Sequence, residues 1–171
     1  MIRRFGGDPE STRLLVADEI HDLQPSSGCH GYVGVGTVGD VVFAVEFVGS
    51  TGAVPGVLRD LSRGGRCFGL KFGISGGDWV HYAVDGDLVV YEEPWGPVNP
   101  LQKGDARWDA TWCADLIDVT DPTESWGLKL FLLAEHVMNV TVERSWFVQP
   151  LRTAELPDLA AVRNTSAWDI P

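Results

Sequence analysis

The sequence predicts an α+β domain, an antiparallel β-meander sheet with a C-terminal helix packed on it. Three observations carry this expectation. Val84-Asp85-Gly86-Asp87 sets Asp-Gly between alternating apolar runs, and those two residues tolerate the positive φ values of a two-residue hairpin. Period-two runs occupy 41–48, 66–74, 79–84 and 87–92, so one antiparallel sheet is expected from them. Asp121-Pro122-Thr123-Glu124 places a capping acid, a first-turn Pro and a Glu at the box position before a long apolar stripe, predicting a helix over 122–138.

The elements follow in order. Asp8-Pro9 opens a helical turn, with the acid capping and Pro at the first position. A short helical piece is expected around Asp18–Leu23, and Pro25-Ser26-Ser27-Gly28 breaks the chain. Val41, Phe43, Val45 and Phe47 alternate with Val42, Ala44, Glu46 and Val48, as in a strand apolar on nearly both faces. Pro55–Ser62 reads as a helix with Val54, Val57, Leu58 and Leu61 on one stripe, stopped by Gly64-Gly65. Arg66–Ile74, Trp79–Val84 and Leu88–Glu92 then form the meander, and Thr111–Val119 offers one more strand. Trp126, Leu130, Leu133 and Val137 line the long helix. After a turn near Trp146 the Pro-punctuated tail is expected to wrap or fray.

All 171 residues fit a single domain, 1–171. Apolar residues make up 44% and charged residues 22%, which excludes a disordered chain. There is no apolar run long enough for a membrane helix and no signal-peptide pattern at Met1–Asp8. Cys29, Cys67 and Cys113 are too few and too scattered for a disulfide scaffold. A cytoplasmic protein is expected.

Net charge is −11, which argues against nucleic acid and anionic membrane as partners. The excess is uneven. Residues 1–85 carry 10 acids and 7 bases, whereas 86–171 carry 14 acids and 6 bases. The dense stretch runs from Asp85 to Glu124 and also holds Trp95, Trp108 and Trp112. Any one of these tryptophans reads first as core. The whole segment reads as a face for a basic protein, with charge steering the encounter and aromatics anchoring it.

Motifs for chemistry fail their context. Gly34-Val35-Gly36-Thr37-Val38-Gly39 matches G-x-G-x-x-G, but an alternating strand follows where a dinucleotide site needs a helix, so the glycines read as a turn or twisted hairpin. Ser62-Arg63-Gly64-Gly65-Arg66 sits at a helix C-terminus, the wrong end for an anion. Cys29-His30 is the one close pair of soft ligands, too few for zinc, so neither a metal nor a cofactor is expected. Cys29 as a nucleophile would need an electropositive setting, and Cys67 reads as a buried inert thiol. His81 shares a face with Trp79 and Ala83 and reads as a half-exposed strand histidine; a dyad with a neighbouring acid is the alternative. Glu46 lies in an apolar strand and, if buried, needs an Arg partner or a raised pKa.

Arg3-Arg4-Phe5-Gly6-Gly7-Asp8-Pro9, Val33-Gly34-Val35-Gly36 and Phe43-Ala44-Val45-Glu46 are family-like pieces. So are Gly52, Pro55, Val57–Gly64, Tyr82-Ala83-Val84-Asp85-Gly86, the helix Leu130–Val137, Val140-Thr141-Val142 and Pro150-Leu151. Together they resemble a family of uncharacterised, mostly actinobacterial proteins grouped as a domain of unknown function. The resemblance covers most of the chain, is most specific from Phe43 to Gly86 and is weakest from Pro94 to Asp121. It fits an intracellular bacterial protein, carries no catalytic assignment to transfer and leaves the activity open.

Two functions are expected from this reading. The first is a non-enzymatic protein-binding module of the inhibitor or immunity type, covering a basic partner such as a toxin with Glu92, Glu93, Trp95, Asp105, Trp108 and Asp109. The alternative is a small-molecule-binding protein or small hydrolase with a glycine-rich pocket, His81 and nearby acids.

Overall fold

The computed structural model describes residues 1–73, 78–92, 105–108 and 126–158. It is an α+β protein with antiparallel sheets. Within the span read as a single domain, the chain forms two compact units: residues 1–61 together with those from Glu143 onward, and Ser62–Val142.

The first unit is built on a four-stranded sheet. Its strands are β1 (Arg13–Leu15), β2 (Cys29–Val38), β3 (Val41–Val45) and β7 (Leu151–Pro157), in the order β1-β7-β2-β3. The tail expected to wrap or fray therefore supplies an interior strand. Leu151, Thr153, Ala154 and Leu156 are all buried, and β7 pairs with β1 on one side and β2 on the other. The Pro residues that suggested a loose tail stand at its margins: Pro150 precedes the strand and Pro157 ends it, positions where a missing N–H costs little.

Strand 41–45 is also corrected. It does not join the meander but pairs with β2, Gly34 opposite Val45 and Gly36 opposite Phe43. The glycine motif is a hairpin, as its alternating context predicts. Gly39 turns the chain at φ +54°, and side chains at Gly34 and Gly36 would run into Leu151 and Phe43. Glycine there lets an aromatic ring lie across the neighbouring strand.

Around this sheet, Asp8 caps the turn Pro9–Ser11 by accepting from Glu10 N–H at 2.9 Å. Helix α1 (Ala17–His21) buries Ala17 and Ile20, and α2 (Pro55–Ser62) buries Val57 and Leu58. Ile2, Phe5, Val33, Ala154 and Leu156 form the core, with Val35 and Leu61 against it. Arg4 donates to the carbonyls of Asp60 (2.8 Å) and Leu61 (3.1 Å), satisfying acceptors that the end of α2 leaves open. A short helix, Ser145–Val148, brings Trp146 and Phe147 against Phe43.

The second unit is the expected meander, β4 (Arg66–Lys71), β5 (Trp79–Val84) and β6 (Asp87–Glu92). Asp85 (φ 52°) and Gly86 (φ 88°) make the turn as predicted. Asp85 accepts from Gly64 N–H at 3.1 Å and the Ser62 hydroxyl accepts from Gly86 N–H at 2.9 Å, so the turn is held from both sides. Helix α3 (Trp126–Met138) supplies Leu130, Leu133 and Val137 to one core with Val80, Tyr82, Val89 and Val90. Its last carbonyls attract Arg66, which donates to Met138 O at 3.0 Å. The expected cap at Asp121–Glu124 and the strand Thr111–Val119 lie outside the described residues.

Candidate functional site

Acidic residues of the second unit gather at the β5–β6 turn. Asp85 and Asp87 are exposed there, and Arg107 reaches the same place. Its guanidinium forks onto Asp105, Nε to Oδ1 at 3.0 Å and Nη2 to Oδ2 at 2.8 Å, while Nη1 donates to Asp87 Oδ2 at 3.0 Å. Planar two-point pairing of this kind suits arginine. The Arg107 hydrogen bonds hold the Asp105 carboxyl down at about 2, and those of Asp105 and Asp87 raise the guanidinium in turn. Asp105 is thus a paired acid rather than a free one, and Asp87, with 71% of its side chain exposed, keeps most of its surface to solvent.

Trp108 corrects its expected role. It is only 4% exposed and sits in the core on Tyr82, ring centroids 5.5 Å apart. A ring already buried within its own unit has no apolar area left to give a partner. Glu93, Trp95 and Asp109 lie outside the described residues, and Glu92 is placed only as the last residue of β6.

His81 is buried rather than half-exposed, at 2%. Its ring stacks on Tyr91 at 4.7 Å and on Trp79 at 6.3 Å. Neither ring nitrogen has a hydrogen-bond partner among the described residues. Burial, with the nearby Lys71 charge, lowers its pKa to about 4, so the imidazole is neutral at physiological pH. Asp78, Asp85 and Asp87 do not reach it. A general base needs an orienting group and access to substrate, and His81 shows neither among the described residues. Cys67, on the neighbouring strand β4 opposite Ala83, has its thiol pushed up to about 11 by burial.

The first unit holds a polar cluster that strand patterning flagged only through Glu46. Among the described residues it has no Arg partner. Its carboxylate accepts the backbone N–H groups of Thr51 (3.1 Å) and Gly52 (2.6 Å). His30 Nε2 accepts from Ser50 N–H at 3.2 Å, so three successive amides are satisfied by two side chains. Gly49, at φ +110°, lets the loop pass against both of them. Desolvation raises the Glu46 pKa, while the Gly52 and Thr51 contacts oppose that shift. The arrangement positions a loop. It consumes the acceptors that a catalytic dyad would need free.

Cys29 lies beside Glu155, which accepts from Ser26 N–H at 2.6 Å and from Tyr32 Oη at 3.2 Å. Desolvation first, then the Glu155 charge, raises the thiol pKa, the opposite of an activated nucleophile. No group of three or more metal-ligating side chains converges among the described residues, and no described helix is long and apolar enough to cross a membrane. No family model, curated protein or solved structure matches the chain.

Proposed function

We propose that this protein is a non-enzymatic binding module of the inhibitor or immunity type, which engages a basic partner protein through its acidic second half. The observation that carries the reading is the exposed Asp85–Asp87 hairpin tip, at the start of the acidic half of the chain, where residues 86–171 hold 14 acids to 6 bases. Acids at a rigid turn raise the rate of encounter with a basic surface, and Arg107 keeps Asp87 and Asp105 in fixed geometry for it. The state of the candidate catalytic groups supports the same reading: His81 is buried and neutral, and the Cys29 thiol is disfavoured as a thiolate.

Affinity capture with the full chain, followed by mass spectrometry, tests it. The expected result is one stoichiometric basic protein whose association rate falls with added salt. Neutralising Asp85, Asp87, Glu92 and Glu93 to their amides should slow association in the same way. A partner bound with salt-independent kinetics, or hydrolysis of a small substrate lost on His81→Phe, would overturn the reading.

A further inference from the structure

We draw no further inference here: the strongest candidate, the exposed apolar patch just past the end of β3, where Phe47 and Val48 lie beside Ile20, Leu23 and Tyr32, carries nothing because nothing in the structure shows what covers it.

Discussion

The N–H of Gly52 donates to Glu46 Oε2 at 2.6 Å, the short bond of a carboxylate held by backbone. A buried acid in an apolar strand thus has a use: it organises the loop from Gly49 to Ala53, while His30 takes the N–H of Ser50.

Burial of this carboxyl makes stability pH-dependent. Desolvation raises the folded-state pKa of Glu46 above its ordinary value of 4.5. The folded state therefore binds the proton more tightly, and Glu46 contributes most below the unfolded value. That contribution is lost as pH rises through the folded value. Urea unfolding of the parent and Glu46→Gln between pH 4 and 8 should show the parent losing ground to the variant as pH rises. Parallel pH profiles would contradict this.

His81 works with the opposite sign. Its pKa falls from 6.5 to about 4 in the folded state, so the unfolded chain takes up protons first on acidification. The stability it confers is complete above 6.5 and is lost as pH falls towards 4. His81→Phe keeps a ring against Tyr91 and removes the proton site, so its unfolding free energy should decline less than the parent's over that interval. A decline of equal size in both would show that other groups govern acid unfolding.

Gly31 is required by close backbone approach. A Cβ there would run into the carbonyl oxygen of Val48, and a backbone atom cannot swing aside as a side-chain tip can. Gly31→Ala should cost about 2 kcal/mol or more, as overpacking does. Gly65→Ala, where a Cβ meets open space, should cost little. Thermal melts of the two variants give the comparison; similar melting temperatures would refute it.

Trp108 belongs to the core of its unit. Trp108→Ala should therefore destabilise the protein by about 3–5 kcal/mol. Chemical denaturation measures it directly, and a variant as stable as the parent would restore Trp108 as a candidate anchor for a partner.

Local chemistry alone determined the parts of this protein that need only neighbours in sequence. Asp85-Gly86 makes its hairpin because both residues accept positive φ, Asp8 caps because its carboxylate reaches Glu10 N–H, and Pro55–Ser62 is helical from its apolar spacing. Which strands meet was decided only in three dimensions. Val41–Val45 alternates equally well beside the meander or beside β2, and the tight turn at Gly39 brings it to β2. Leu151–Pro157 follows Pro150 and ends on a proline, so only its two partner strands reveal it as interior. The same holds for the candidate site. Residue type marks Trp108, His81 and Glu46 as worth attention, but burial and partners decide their roles. Trp108 and His81 are enclosed within their unit and Glu46 is bound by loop amides, because those contacts join elements far apart or turns without a sequence period.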